Sequence, residues 1–241
     1  MGVADEAIQK IKAMIMVGEF RPGGRLPPEG ELAARVGVSR SSLREAVRAL
    51  ALIQVLDVRR GDGTYVTSLE PSVLMGGTGF IVELLEGGLE LELYQVRRIL
   101  EPAAAALAAA RIDAATIERL HDRLLQMEAA TSVPELTDAD IEFHRTVVET
   151  AGNRLLTSLL DNLSTGTIRA RVWRLITGTA IAESTKLEHR AIFEGIRSRD
   201  PELARATVAT HIARGEMWLQ QLLEQGIEPQ DLPATESTAR S

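Results

Sequence analysis

The residues best suited to chemistry lie in the second half of the chain. Its four histidines fall at 121, 144, 189 and 211. Three of them sit on apolar stripes of separate helical segments. Asp140 and His144 are one turn apart, and Val147 and Val148 continue that side. His189 lines up with Ile192, Phe193 and Ile196, and His211 with Gly215, Trp218 and Leu222. An imidazole that points inward must find a partner. One such residue is ordinarily a hydrogen-bonded core histidine. Three of them with an aspartate one turn away also suit convergence on a divalent ion. Imidazole and carboxylate donors fit Zn²⁺ first, and Mn²⁺, Ni²⁺ or Fe²⁺ as well. Such a set leaves coordination positions open for water or an incoming carboxylate. Spacing alone leaves both readings standing, a satisfied polar core or a metal. His121, beside Asp122 and near Glu118, reads as the edge of an exposed face.

A second constellation lies near the N-terminus. Arg40 and Arg44 are four apart and share a helix face, with Ser41 and Ser42 beside them and Arg48 continuing the stripe. Arginine can bind guanine in a bidentate way, and serine hydroxyls and arginines both hold phosphates. Arg59 and Arg60 then precede Gly61-Asp62-Gly63, a tight turn that lets a backbone approach nucleic acid closely. Isolated, such arginines would be a solvated face paired with Glu31, Glu45 or Asp57. Their setting argues for DNA. An apolar helical pattern over residues 5–17 stops at Gly18. A short helix runs from about Glu29 to Val36, and Gly37 ends it. Ser39 is a good N-cap for a third helix, Arg40 to about Leu52. Residues 55–59 and 64–67 read as a hairpin across the glycine turn. Helix, helix, turn, helix, hairpin is the order of a winged helix-turn-helix.

The rest of the chain reads as helical. Residues 1–67 are taken as the DNA-binding domain, 68–72 as a linker, 73–225 as a bundle of six or seven helices, and 226–241 as a disordered polar tail. The helical segments are expected at 73–87, 90–111, 113–130, 137–151, 153–176, 180–198 and 201–224. The fold class is therefore mainly α, a winged helix-turn-helix followed by an all-helical bundle.

Composition is compatible with this. The chain has 241 residues, 45% hydrophobic and 25% charged, enough for two modest domains. It has no cysteine, which excludes disulfides and thiolate metal sites. The first segment is amphipathic and carries acids, unlike a signal peptide, and no apolar run reaches the length of a membrane span. A cytoplasmic protein without a membrane partner is expected. The net charge of −7 is unevenly spread. Residues 1–67 hold 10 Lys and Arg against 8 Asp and Glu, and the remainder 17 against 26. A slightly basic head on an acidic body fits a DNA-binding module fused to another function.

Residues 26–66 resemble the DNA-binding domain of the GntR family of bacterial regulators. The resemblance is carried by Leu26-Pro27, Glu29, Leu32-Ala33, Val38-Ser39-Arg40, Leu43-Arg44-Glu45-Ala46 and Gly61-x-Gly63-Thr64-Tyr65-Val66. Two positions depart from it. Gly30 stands where an arginine is frequent, and Gln54 where a glycine usually follows the recognition helix. Residues 72–225 resemble the ligand-binding helical domain of the FadR-type branch. That part is carried by Val96 through Pro102, Asp140-Ile141-Glu142-Phe143-His144, Gly152-Asn153, His189 and His211. The resemblance implies that Asp140, His144, His189 and His211 hold one divalent metal. It implies that Arg97 meets the carboxylate of an effector, against the plainer reading of an ion pair with Glu101. It further implies DNA contacts by Arg40, Ser41, Ser42, Arg44, Arg48, Arg60, Gly61 and Gly63. The function it implies is a homodimeric, ligand-responsive transcription regulator on a near-palindromic double-stranded operator. Repression of a metabolic operon, relieved by a small organic or sugar acid, is the expected outcome. The alternative is a metal-dependent enzyme in a helical bundle with a DNA-binding appendage. Against it, no general base accompanies the four ligands, since Glu142 lies two residues from Asp140 and points elsewhere.

Overall fold

A computed structural model describes residues 2–77, 89–176 and 179–227. The chain divides into two compact units, Met1–Gly77 and Thr78–Ser241. The segment expected to be helical at 73–87 lies mostly outside the described residues, as does the polar tail beyond 227.

In the first unit, α1 (Val3–Met16), α2 (Glu29–Val36) and α3 (Arg40–Leu52) precede β1 (Leu56–Arg59) and β2 (Gly63–Val66). The helices pack on one core of Ala7, Ile11, Leu32, Val36, Leu43, Ala46 and Leu50, closed by Leu56 and Val66 from the hairpin. Gly37 ends α2 in the left-handed region at φ 74°, and its N–H donates to the Ala33 carbonyl. Ser39 then caps α3, its hydroxyl accepting from the Ser42 amide. The strands pair antiparallel from Leu56 opposite Val66 to Arg59 opposite Gly63. Arg25 adds an isolated bridge to Tyr65. Gln54, standing where the resemblance usually has a glycine, takes φ 57° and makes the turn into β1 in a conformation unfavourable for a residue with a Cβ. A short α4 (Pro71–Leu74) follows, overlapping the expected linker.

The second unit contains seven helices among the described residues: α5 (Glu90–Arg111), α6 (Ala114–Ala129), α7 (Val133–Thr150), α8 (Arg154–Thr165), α9 (Ile168–Ile176), α10 (Thr179–Arg197) and α11 (Pro201–Glu224). α5 is central and packs most extensively on α11. Small residues permit the approach. Ala105, Ala108 and Ala109 of α5 lie in the same core cluster as Val208, Ile212 and Leu219 of α11, and a Cβ added to Gly215 of α11 would stand 2.7 Å from the Tyr94 ring. Phe143, Leu120, Met127, Ile192, Ile196, Ile212 and Leu219 fill the interior.

Two helix limits differ from the sequence reading. α7 starts four residues earlier than expected, because Ser132 and Glu135 form a reciprocal capping box with proline in the first turn. Residues 153–176 form two helices rather than one. α8 ends at Gly166, and the Thr167 hydroxyl bonds back to the Ser164 carbonyl while accepting from Arg97 Nη1 at 2.9 Å. No described helix is long and apolar enough to cross a membrane.

Candidate metal centre and nucleic-acid interface

Three helices of the bundle bring Asp140 and His144 (α7), His189 (α10) and His211 (α11) to one buried point. One ligand atom from each lies within 4.8 Å of the others. His144 Nε2 is 3.2 Å from His189 Nε2 and 3.3 Å from His211 Nε2. Asp140 Oδ1 is 2.8 Å from His189 Nε2 and 3.7 Å from His144 Nε2. Donors bound at about 2.1 Å to a common ion stand roughly 3 Å apart, so these separations suit a shared divalent cation.

The outer nitrogens of the three rings decide what the inner ones can do. His189 Nδ1 donates to the Thr185 carbonyl at 2.8 Å, and His211 Nδ1 to Glu188 Oε2 at 2.8 Å. His144 Nδ1 lies 3.2 Å from Glu101 Oε2. Carbonyls and ionised carboxylates only accept, so Nδ1 of His189 and of His211 carries the hydrogen, and their neutral Nε2 atoms turn lone pairs inward. Two lone pairs and a carboxylate facing one another beside His144 Nε2 repel unless a cation lies among them, so the donor set fits a divalent metal. Burial reinforces the neutral state. It pushes His189 down to about 3, aided by the neighbouring His144, and His211 well below its ordinary value.

Around this point lies a set of buried charges. Arg97, only 1% exposed, donates from Nε to Glu101 Oε1 at 2.5 Å. Burial works against the Glu101 anion, yet Arg97 and His144 hold its carboxyl well below the usual range. Arg171 from α9 is buried and forms an ion pair with Asp140 Oδ2. Burial, with Arg97 nearby, pushes its guanidinium down to about 10. Glu188 meets His211, Arg174 and Arg214. Two cavities flank the cluster. The larger, 220 Å³, is bordered by Glu101, His144, Arg145, Asp161, Ser164 and Arg171. The smaller, 20 Å³, is bordered by Tyr94, Arg97, Asp140, Arg171 and His211 among others.

The structure thus brings together the four residues selected as ligands and sets Arg97 in the wall of the smaller cavity. The Arg97–Glu101 ion pair, the plainer reading of Arg97, is present and buried. Glu142 faces away, paired loosely with Arg123 and Arg145. His121 stacks on Phe193, ring centroids 5.3 Å apart, outside the cluster. Sequence reasoning missed Glu101 as a partner of His144, Glu188 as a partner of His211, and Arg171. Glu188, beside His189, offered a faint signal; Arg171 offered none, since its helix carries no motif.

In the first unit, Arg40, Ser41, Arg44 and Arg48 are exposed on α3, with Ser42 half-buried among them. The Ser39 hydroxyl lies 2.9 Å from that of Ser41 and 3.0 Å from that of Ser42. Arg44 Nε donates to Glu29 Oε2 at 2.9 Å, an exposed pair that a phosphate can replace at low cost. Arg40 lies over Gly30, where an added Cβ would stand 3.0 Å from its Nη2. Arg60 and Gly61 are exposed at the hairpin tip. Gly63 has φ 141°, so the wing favours glycine there for its backbone conformation, and the Arg25 guanidinium lies over it. A groove of 690 Å³ between α3, the start of α2 and β2 is bordered by Arg25, Arg44 and Arg48. Arg25, which also reaches the Asp62 carbonyl, escaped the sequence reading.

A winged helix-turn-helix joined to a helical bundle with a buried polar centre defines a ligand-responsive DNA-binding regulator. Comparison with known proteins gives the same class. Residues 3–66 match the model of the bacterial regulatory proteins, gntR family, and residues 92–214 match the FCD domain. The chain belongs to the GntR family, in the group that carries an FCD domain, and is a transcription regulator rather than an enzyme. It is 28% identical over 221 residues to the HTH-type transcriptional regulator LutR of Bacillus subtilis, covering 89% of this chain and 100% of that protein. It is 27% identical over 225 residues to the galactonate operon transcriptional repressor of Escherichia coli, covering 90% of this chain and 97% of the relative. Among solved structures, the Streptococcus agalactiae GntR is 28% identical with a TM-score of 0.65, covering 89% of this chain and 99% of that one.

Proposed function

We propose that this regulator represses a metabolic operon as a twofold dimer on a near-palindromic operator, and that a small organic or sugar acid bound in the bundle releases it. The observation that carries the reading is the convergence of three histidine Nε2 atoms and the Asp140 carboxylate on one buried point in a region otherwise built for packing. Asp140, His144, His189 and His211 hold one divalent ion, zinc first and manganese, nickel or iron as alternatives. When bound, that ion offers a Lewis-acidic position to a carboxylate oxygen. The Thr185 carbonyl and Glu188 orient the rings of His189 and His211 and keep their inner nitrogens unprotonated, and Glu101 lies beside His144 Nδ1. Arg97 supplies positive charge to the acid from the cavity wall. The repressor name of the E. coli relative, which regulates a sugar-acid operon, favours this direction of control.

On the DNA side, Arg40, Arg44 and Arg48 read bases and phosphates in the major groove. Ser41 and Ser42 hold phosphates, and Arg60 with Gly61 and Gly63 brings the wing against the backbone. One winged helix spans few base pairs, so a dimer on two half-sites supplies the affinity. The acid controls binding only through unequal affinity for the DNA-competent and DNA-incompetent states. The test is operator binding by fluorescence anisotropy with metal-loaded protein across a panel of hydroxy and sugar acids, alongside footprinting. The expected result is a symmetric footprint and at least one acid that weakens binding. A single asymmetric half-site, or indifference to every acid, overturns the reading.

A further inference from the structure

Resting on the reading that the wing meets DNA, we propose that Arg25 and Tyr65 are positioning residues for it. Together they clamp Asp62 at the hairpin tip, so that Arg60 and the glycine turn are held in the shape that takes a phosphate.

The tip has little of its own to hold it. The hairpin pairs four residues on each strand, and a two-stranded ribbon is marginal alone. Gly61 at φ 78° and Gly63 at φ 141° flank Asp62, and both lack the Cβ that would narrow their backbone freedom. The turn's own bond runs from the Asp62 N–H to the Arg59 carbonyl at 3.1 Å. A tip left to itself would be ordered only on meeting DNA, and that cost would come off the affinity.

Arg25 brings support from outside the hairpin. The backbone on either side of it is fixed to β2. The Gly24 carbonyl accepts from the Val66 N–H at 2.8 Å, and the Leu26 N–H donates to the Thr64 carbonyl at 2.8 Å. From that base the guanidinium lies over Gly63, and Nη2 donates to the Asp62 carbonyl. Tyr65 takes the other end of Asp62, its hydroxyl donating to Oδ2 at 2.9 Å. The Tyr65 ring is covered in turn by Arg59, whose guanidinium carbon is 4.2 Å from the ring centroid and whose Nε donates to Asp57 Oδ2 at 2.8 Å.

Asp62 is the acid of a tip that otherwise reads Arg59-Arg60-Gly61 and Gly63. A loose carboxylate there would repel the phosphate that Arg60 is to meet, and the Tyr65 hydroxyl ties it to the strand. Arg25, Arg59 and Asp62 are exposed, where such bonds add little to stability. Their consequence lies in the shape of the tip rather than in folding.

The test measures binding of full-length protein, by fluorescence anisotropy, to a duplex that the wild type selects from a random-sequence pool. Arg60→Ala should weaken binding and lower its salt slope by about one unit. Arg25→Ala should weaken binding by about three- to tenfold, the cost of ordering the tip on contact, with the melting temperature near that of the wild type. Arg25→Lys should keep part of the affinity. In the Arg60→Ala background, Arg25→Ala should cost less than about twofold, since a positioning residue acts through the group it positions. Tyr65→Phe should also weaken binding, and adding Asp62→Asn should restore most of it by removing the freed charge. Wild-type affinity in Arg25→Ala, with Arg60→Ala weakened, overturns this inference and leaves the wing's contact with DNA intact. Fully multiplicative losses in the Arg25→Ala, Arg60→Ala double variant overturn it as well, because Arg25 then touches DNA itself. Wild-type affinity in Tyr65→Phe, or a loss that Asp62→Asn does not restore, overturns the carboxylate half of the clamp. Wild-type affinity in Arg60→Ala takes the wing out of DNA binding and overturns both readings.

Discussion

The two units of the chain use charge in opposite ways. In the winged helix, Arg40, Arg44, Arg48, Arg59 and Arg60 stand in solvent, and partners such as Glu29 and Asp57 are partly exposed. Such pairs contribute little to stability, about 0–1 kcal/mol each, and exchange readily for a phosphate. In the bundle, Arg97, Glu101, Asp140, Arg171, Glu188 and three histidines are withdrawn from water. Removing that many ionisable groups from solvent is costly, and an apolar core would pack as well without them. The first arrangement suits a polyanion met at the surface. The second is sensible only if the interior has a ligand to hold.

The sharpest break in this comparison is the loss of one interior charge. Glu101→Leu leaves Arg97 buried without its carboxylate and frees His144 Nδ1, and should cost about 3–5 kcal/mol in denaturant unfolding. By contrast, Glu29→Leu, which strips the exposed partner of Arg44, should cost less than about 1 kcal/mol. Similar values for the two would erase the distinction between the units.

The next effect is on pH dependence. In chelator-stripped protein, His189 is held neutral down to about 3, and His211 is depressed in the same direction, against an ordinary value of 6.5. Between those limits the unfolded chain binds more protons than the folded one, so stability rises with pH through that window and falls as pH drops below about 6.5. Urea midpoints measured across this range check the sign. A variant in which both positions are leucine should lose most of the slope.

The DNA side predicts a smaller change, in binding rather than in folding. Arg40→Ala and Arg44→Ala should each weaken operator affinity by about 1–3 kcal/mol if they touch bases. Either should flatten the salt dependence by about one unit if it touches phosphate. Melting temperatures should stay near that of the wild type, since both side chains are exposed. Unchanged affinity in both variants would remove α3 as the reading helix.

These contrasts also explain what the sequence could disclose. The winged helix is compact along the chain. Its cap at Ser39, its stop at Gly37 and its turn at Gly61–Gly63 are local features within 26–66, and local features can be read. The four candidate ligands were legible because each lies on an apolar stripe where a polar group is out of place. Glu101, Glu188 and Arg171 were not, because each gains meaning only when α5, α9 and α10 pack together. Glu101 seemed committed to Arg97 through i, i+4 spacing, and nothing local shows that its second oxygen meets His144. The break at Gly166–Thr167 escaped for the same reason, since Thr167 turns inward to meet an arginine 70 residues away.

The smallest effect lies at the departure from family pattern. Gln54 takes φ 57°, so Gln54→Gly should stabilise the first unit by about 0.5–1 kcal/mol, the relief of a left-handed residue less the entropy of a glycine. A destabilised Gln54→Gly protein would show that the glutamine side chain, which packs near Gly76, matters more than its backbone strain.

The most direct measurement is the metal content of protein purified without chelator, by elemental analysis, for the wild type and for His144→Ala, with melting curves before and after chelation. The account predicts about one divalent ion per wild-type chain, a melting temperature that falls on chelation and recovers when the ion is restored, and neither property in His144→Ala. Wild-type protein without metal, whose melting temperature no divalent ion alters, would contradict it and leave Asp140, His144, His189 and His211 as a polar core.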